Sequence, residues 1–123
     1  MITGVGSYLP KNKCSNENLS NFVDTSDEWI SKRSGIKNRH FVTDNEKTSD
    51  MSFLAANKAI ENAGISKNDV DLIVLATTTP DNTFPSTATL VQKKLKINAV
   101  SFDIQAVCAG FVFALSVAKS MMI

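Results

Sequence analysis

The chain has few of the residues on which metal sites depend. Its 123 residues include two cysteines and one histidine. Cys14, His40 and Cys108 lie far apart in sequence and fit none of the spacings at which cysteine and histidine bind a metal ion, so we expect no metal site. Cys14 lies in a polar stretch that is typical of an incidental thiol. His40 lies among charged neighbours, which favours a structural or surface role.

The chain also lacks an excess of charge of either sign. Thirteen Lys and Arg residues stand against twelve Asp and Glu residues, for a formal net charge of +1. No basic cluster of the kind that binds nucleic acid is present. The N-terminus does not have the pattern of a signal peptide, and no apolar run is long enough to cross a bilayer. We therefore expect a cytoplasmic protein that binds neither nucleic acid nor membrane.

The apolar residues predict a single α/β domain. Hydrophobic residues make up 43% of the chain. Residues 71–78 form an apolar run without alternation, which is typical of a strand covered on both faces. Residues 99–104 have the β-branched and aromatic content of a buried strand, and a helix is expected between the two segments. This order predicts helices on the faces of a largely parallel sheet. A further short strand is expected at residues 1–10, where Gly4 and Gly6 suggest close backbone approach rather than a dinucleotide-binding loop.

Cys108 is the main candidate for a reactive residue. It follows the strand predicted at residues 99–104 and precedes an apolar helical run that begins near Phe111. Such a strand-to-helix turn is typical of a nucleophile elbow, and the helix N-terminus favours the thiolate form of the sulfur. Ala109 and Gly110 keep the first turn slim, so that a thioester could approach. The alternative is that Cys108 is a small hydrophobic residue buried between strand and helix.

A second candidate site lies between residues 25 and 35. Thr25 and Glu28 have the spacing of a capping box, and Gly35 is a natural helix stop, so a helix of about two turns is expected. Trp29 and Arg33 are four residues apart and share one face of that helix. An exposed indole beside a guanidinium could bind a nucleotide through stacking and a phosphate contact. Alternatively, Trp29 is a core anchor and Arg33 a solvated partner of a nearby acidic residue.

The C-terminal residues indicate how much of a domain is present. Residues 119–123 continue an apolar helix without a cap, a glycine or a polar tail. We therefore expect the chain to be the front part of a longer protein.

Six segments together resemble one family along nearly the whole chain. They are residues 4–10, 24–30, 33–36, 76–78, 84–86 and 103–111. In this order they resemble the N-terminal part of β-ketoacyl-acyl carrier protein synthase III, a condensing enzyme of type II fatty acid synthesis. The resemblance implies a thiolase-like layered α/β fold, of which residues 1–123 would form the N-terminal portion, with a mostly parallel mixed sheet and helices on its faces.

The same resemblance implies roles for five residues. Cys108 would be the nucleophile that takes an acyl group from acyl-CoA. Trp29 would lie against the adenine of CoA, Arg33 near its phosphates, and Thr25 would form a hydrogen bond with the adenine. Phe84 would reach across a homodimer interface and shape the partner's acyl pocket. No cofactor is implied, because acetyl-CoA and malonyl-acyl carrier protein are both substrates.

The implied reaction also needs residues that this sequence does not supply. The family uses a histidine and an asparagine from its C-terminal half, and His40 does not match that histidine. Two alternatives therefore stay open: a non-catalytic fragment that lacks this half, and a related condensing enzyme that uses a different acyl-CoA. Ser34 stands where many relatives carry threonine, and Val107 where they often carry alanine.

Overall fold

The computed structural model describes residues 1–122. Its contacts divide the chain into two compact units. The smaller unit is Leu9–Glu46, and the larger unit combines Met1–Tyr8 with the chain from Lys47 onward. Each unit has its own pair of strands: the strands of the smaller unit are antiparallel, and those of the larger unit are parallel.

The smaller unit consists of a hairpin and two short helices. Strand β1 (Asn12–Ser15) leads into helix α1 (Asn16–Leu19), which is followed by helix α2 (Asp27–Ser34) and strand β2 (Asn38–Phe41). Strands β1 and β2 pair in a register that sets Cys14 opposite Arg39. The Ser15 hydroxyl caps α1 by accepting a hydrogen bond from the N–H of Asn18.

Helix α2 begins one residue later than the sequence predicts. The Ser26 hydroxyl, not that of Thr25, accepts the hydrogen bond from the backbone N–H of Trp29. Two neighbouring hydroxyl residues offer equal capping chemistry, and the extended backbone of Ser26 decides between them. The predicted stop is confirmed, since Gly35 ends α2 in the left-handed conformation at φ 70°.

The larger unit has the predicted α/β architecture. Helix α3 (Thr48–Ala63), strand β3 (Leu72–Ala76), helix α4 (Thr87–Leu95), strand β4 (Val100–Ile104) and helix α5 (Gly110–Met121) follow one another. Strands β3 and β4 are parallel and in register from Leu72 opposite Val100 to Ala76 opposite Ile104. Helix α4 contacts both strands, and α5 contacts β3. The buried Ala, Val and Leu residues in the described chain are Ala88, Val91 and Leu95, all on α4.

A single carboxylate ties α4 to the sheet. Asp103, on β4, accepts hydrogen bonds of 2.7 Å from the backbone N–H groups of Thr87 and Ala88. These two donors lie in the first turn of α4 and have no partner within the helix. Asp103 therefore satisfies the buried N-terminus of α4 and fixes the helix on the strand that leads to Cys108.

The strand predicted at residues 1–10 is absent, and within the larger unit Met1–Tyr8 lies along α3 instead. The backbone N–H of Val5 donates to the Asn62 side chain, and the Lys58 ammonium donates to the Ser7 carbonyl. The predicted close approach is confirmed at Gly6, where an added Cβ would lie 2.2 Å from the Ala55 carbonyl oxygen. Side chains of α3 thus take backbone hydrogen bonds that a neighbouring strand would otherwise form.

Two further helices begin after defined N-cap residues. Helix α3 follows Lys47 as its N-cap. Helix α4 follows Ser86, whose hydroxyl accepts a hydrogen bond from the N–H of Thr89. The apolar C-terminal segment forms the end of α5, and Ile123 lies outside the described residues. No helix within residues 1–122 is both long and apolar enough to cross a membrane.

Candidate functional site

Cys108 lies in a tight turn between β4 and α5. One turn of 3₁₀ helix, Val107–Ala109, separates the strand from the helix. The N–H of Ala109 donates to the Ala106 carbonyl at 2.9 Å, and the N–H of Gly110 donates to the Val107 carbonyl. Cys108 is exposed, so the alternative of a buried small hydrophobic residue is wrong. The structure thus places an exposed Cys108 on the turn between strand and helix, as the sequence predicts.

The turn is built on a strained residue. Val107 adopts φ 45°, in the left-handed region that β-branched residues rarely enter. Its side chain is 72% exposed, so packing of this side chain does little to hold the conformation. Such strain costs about 1–3 kcal/mol and is common beside active sites. The hydrogen bonds of the turn and the anchoring of β4 and α5 on either side hold Val107 in place.

Gly110 lets α5 start close to the sheet. It is buried, and a Cβ at this position would lie 3.2 Å from the Cβ of Ala76 at the end of β3. This spacing is tighter than ordinary van der Waals contact, so a larger residue would push the first turn of α5 away from β3. The small residue at position 110 therefore has a packing reason, besides the approach of a thioester that the sequence suggests.

A groove with a cavity volume of about 970 Å³ adjoins Cys108, and we call it the β3 groove. It is lined by β3 along its whole length, residues 77–79 after it, the Cys108 turn, Val91 of α4, small residues of α3, and both small and large apolar residues of α5. Alanines on α3 and α5 leave room beside the strand. The groove has the predominantly apolar lining that is usual for small-molecule sites.

Residues 77–79 also belong to the site, although sequence alone did not indicate them. They follow β3 as three consecutive threonines, and all three line the β3 groove with Cys108. The N–H of Thr77 donates to the Ile104 carbonyl and so extends the pairing of β3 with β4. The carboxyl ends of parallel strands meet at one edge of a sheet, where ligands usually bind. Three hydroxyl residues directly after a buried strand were the signal that could have identified them.

The second candidate cluster lies on α2 in the smaller unit. The Arg33 guanidinium lies 4.3 Å from the centre of the Trp29 ring, in cation–π geometry. Trp29 is 54% exposed, so it is not a core anchor, and Arg33 stacks on the indole rather than extending away as a solvated partner of an acidic residue. Thr25, which precedes the helix, is half-buried. The structure thus brings Trp29 and Arg33 together as an exposed aromatic and cationic pair.

The other residues considered from sequence have different surroundings. Phe84 is 89% exposed on the segment that precedes α4. His40 is half-buried on β2, where its Nδ1 forms a hydrogen bond with the Pro10 carbonyl. Cys14 is half-buried on β1. Within residues 1–122, no three His, Cys, Asp or Glu side chains cluster in a way that could hold a metal ion.

Solved structures with this fold are condensing enzymes. The 3-oxoacyl-[acyl-carrier-protein] synthase III of Aquifex aeolicus aligns with a TM-score of 0.88 and 48% identity over 98% of this chain and 39% of its own. The priming β-ketosynthase of the R1128 polyketide pathway aligns with a TM-score of 0.87 and 36% identity over 95% of this chain and 35% of its own. The fold is therefore that of the thiolase-fold condensing enzymes.

The sequence comparison narrows this class to one family. β-Ketoacyl-[acyl-carrier-protein] synthase III of Ehrlichia canis is 61% identical over 121 residues, which are 98% of this chain and 38% of that protein. No family model matches the chain. The chain belongs to the β-ketoacyl-[acyl-carrier-protein] synthase III family, matches its N-terminal part, and spans about 38% of the length of this relative.

Proposed function

We propose that the complete protein condenses acetyl-CoA with malonyl-acyl carrier protein and so initiates type II fatty acid synthesis. The observation that carries this proposal is Cys108, exposed on a strained turn beside the β3 groove in a chain 61% identical to a synthase III. A nucleophilic cysteine needs exposure, a fixed direction and space for a substrate, and this turn offers all three.

Cys108 carries out the first half of the proposed reaction. Its Sγ attacks the carbonyl carbon of acetyl-CoA, and the CoA thiolate leaves, which gives an acetyl-enzyme and free CoA. Malonyl-acyl carrier protein then loses CO₂, and the resulting carbanion attacks the acetyl carbonyl. Acetoacetyl-acyl carrier protein forms, and the Cys108 thiolate is released. The histidine and asparagine that stabilise the developing oxyanion would come from the C-terminal half of the complete protein.

Helix α2 is proposed to bind the nucleotide end of CoA. The Trp29 ring would stack on the adenine, Arg33 would contact the phosphates, and Thr25 would form a hydrogen bond with the base. The exposure of Trp29 and the closeness of the Arg33 guanidinium support this assignment. Phe84 is proposed to cross a homodimer interface and shape the partner's acyl pocket, which would account for its exposure of 89%.

The remaining parts of the proposal concern the molecule's setting. Residues 1–123 would be the N-terminal portion of one thiolase-like domain. The complete protein would work in the cytoplasm as a homodimer, with acyl carrier protein as its macromolecular partner and without a bound metal or cofactor. The balanced charge of the chain, at a formal +1, is in keeping with a protein that binds neither nucleic acid nor a membrane.

The test is the intact mass of the complete protein before and after incubation with acetyl-CoA. We expect one acetyl adduct, which Cys108→Ala abolishes and Cys14→Ala retains. Cys14 is the matched control because it is the other free cysteine of the chain. An adduct that survives Cys108→Ala would show that another residue is the nucleophile. The starting mass also gives the length of the complete protein.

A related condensing enzyme with a different acyl donor is the second candidate function. It is favoured by the 36% identity to a priming β-ketosynthase of a polyketide pathway. Acylation rates of Cys108 with acetyl-, butyryl- and branched acyl-CoA distinguish the two candidates. The fastest acylation with acetyl-CoA supports the fatty acid function, and clear preference for a longer or branched donor supports the alternative. Condensation by residues 1–123 alone, without an added subunit, would exclude the remaining possibility of a non-catalytic fragment.

A further inference from the structure

We infer that Asn16 is a positioning residue that holds helix α2, with Trp29 and Arg33, in place to receive the nucleotide of CoA. This inference rests on the proposed function, because it assumes that α2 binds CoA. Asn16 itself would not touch the substrate. It is 0% exposed and is the first residue of α1, directly after strand β1.

One side-chain amide contacts α2 at both of its ends. The Nδ2 of Asn16 donates to the Asp27 carboxylate at 2.7 Å, at the first residue of α2. The same nitrogen donates to the carbonyl of Ile36 at 2.8 Å, just after the Gly35 cap. A longer contact of 3.4 Å reaches the Ser31 hydroxyl in the middle of the helix. Asn16 therefore fixes where α2 begins and where the chain leaves it.

These hydrogen bonds matter because α2 has no buried residue of its own. Most helices in proteins are stabilised by packing an apolar face, and an isolated helix of eight residues is marginal in water. Polar contacts to a buried amide replace that packing here. The Ser31 hydroxyl adds to them by donating to the same Asp27 carboxylate at 3.1 Å.

The orientation of the Asn16 amide is itself fixed from the other side. The Nη2 of Arg39 donates to the Oδ1 of Asn16, while Nη1 of the same guanidinium donates to the Cys14 carbonyl at 3.2 Å. Arg39 lies on β2, opposite Cys14 on β1. The amide oxygen is thus held by the hairpin, which leaves the nitrogen to bind α2.

The test compares two acyl donors that differ in the part α2 would bind. Acetyl-CoA carries the adenine nucleotide, and acetyl-pantetheine lacks it. In the complete protein, Asn16→Ala should lower kcat/KM for acylation by acetyl-CoA by about tenfold, because hydrogen bonds to charged partners are lost. The same variant should change acylation by acetyl-pantetheine by less than about twofold, because a positioning defect in α2 affects only the nucleotide.

Three variants make the result decisive. Asn18→Ala, at an exposed position on the same helix α1, should leave both rates unchanged. Asp27→Ala removes the strongest contact of the amide at an exposed site, so it should cause a smaller loss of the same kind even if Asn16→Ala fails to fold. Trp29→Ala should lower the acetyl-CoA rate alone, as the direct substrate contact.

The possible results distinguish a failure of this inference from a failure of the proposed function. If Asn16→Ala lowers the acylation rate equally with both donors, or with neither, the inference is wrong. A selective loss with acetyl-CoA in Trp29→Ala would still support CoA binding by α2 in that case. A Trp29→Ala variant without a selective loss would overturn the role of α2 and the inference with it. In the expected case, Asn16→Ala lowers the rate less when added to Trp29→Ala than it does alone, because part of its effect is the displacement of Trp29.

Discussion

Val107 shows how a single residue can direct a reactive neighbour. A valine at φ 45° is strained, and its side chain gains little from packing because most of it is exposed. The conformation persists because β4 and α5 fix the two ends of the turn. A residue with φ above zero reverses the chain direction sharply, which places the exposed Cys108 on the turn just before α5.

We expect Val107→Gly to stabilise the fold. Removing a strain of about 1–3 kcal/mol outweighs the additional chain entropy of glycine, which costs about 0.5–1 kcal/mol. The free energy of unfolding in urea should rise by about 1 kcal/mol. Val100→Gly is the control, because Val100 is an exposed valine within strand β4 and its replacement should destabilise the protein. A loss of stability in both variants would show that Val107 is not strained.

The proposed stacking of Trp29 on adenine predicts how a single substitution changes the affinity for CoA. Trp29→Ala should weaken CoA binding by about 1–3 kcal/mol, the range observed for base–aromatic stacking. Isothermal titration calorimetry on the complete protein measures this affinity without depending on fluorescence. Phe22→Ala serves as the control, since Phe22 is an exposed aromatic residue of the same unit, and CoA affinity should stay unchanged there. Unchanged affinity in a folded Trp29→Ala variant would contradict the stacking role.

At the scale of secondary structure, one ion pair connects α3 and α4. The Lys94 ammonium lies 2.8 Å from the Asp50 carboxylate, which also accepts a hydrogen bond from the backbone N–H of Lys47 at 3.0 Å. The hydrogen bond from Lys94, followed by the one from Lys47, lowers the pKa of Asp50 below its ordinary value. The ionised carboxylate is thus favoured in the folded state.

This shift predicts a pH-dependent effect of Asp50→Asn. A carboxyl whose pKa is lower in the folded protein adds stability above its unfolded pKa and loses it as the pH falls through the folded value. Because the pair is partly exposed, the substitution should cost no more than about 0.5 kcal/mol at neutral pH. The difference from the parent protein should shrink at acid pH, as the carboxylate becomes protonated in both states. Urea unfolding at both pH values measures the difference.

Lys94→Met provides the matching control for this pair. It should lower the stability at neutral pH by a similar amount, and the double variant should lose little more than either single variant. A cost for Asp50→Asn that is the same at both pH values would mean that the charge of Asp50 contributes nothing. The remaining loss would then come from the hydrogen bond with the Lys47 backbone.

Elements with their own apolar pattern were predictable from sequence, and those that depend on neighbours were not. Strand β3 is an uninterrupted apolar run, β4 has the β-branched and aromatic residues of a strand, and α3 ends at a glycine, so their positions follow from local chemistry. The segment at residues 1–10 has the composition of a strand but lies on α3, because Asn62 and Lys58 take its backbone hydrogen bonds. The Asn16 network was also missed, since its partners are up to 23 residues away in sequence.

At the scale of the whole molecule, the chain leaves much apolar surface exposed. The buried Ala, Val and Leu residues among residues 1–122 are Ala88, Val91 and Leu95, all on α4. Along α5, Phe111, Val112 and Phe113 are each more than half exposed, and Gly110 is the residue in the buried class. Exposed large apolar side chains in such number are unusual in a self-sufficient domain.

Residues 1–123 produced alone should therefore behave as an incomplete domain. We expect strong binding of the dye ANS and a broad urea transition with a low m value, because the folded state of residues 1–123 buries little surface. Under the same conditions, the complete protein should bind little ANS and unfold cooperatively. Phe111→Ser with Phe113→Ser should reduce ANS binding by residues 1–123, because these side chains contribute to the exposed face of α5. Cooperative unfolding of residues 1–123 without ANS binding would instead mean that they form a domain whose α5 surface needs no cover.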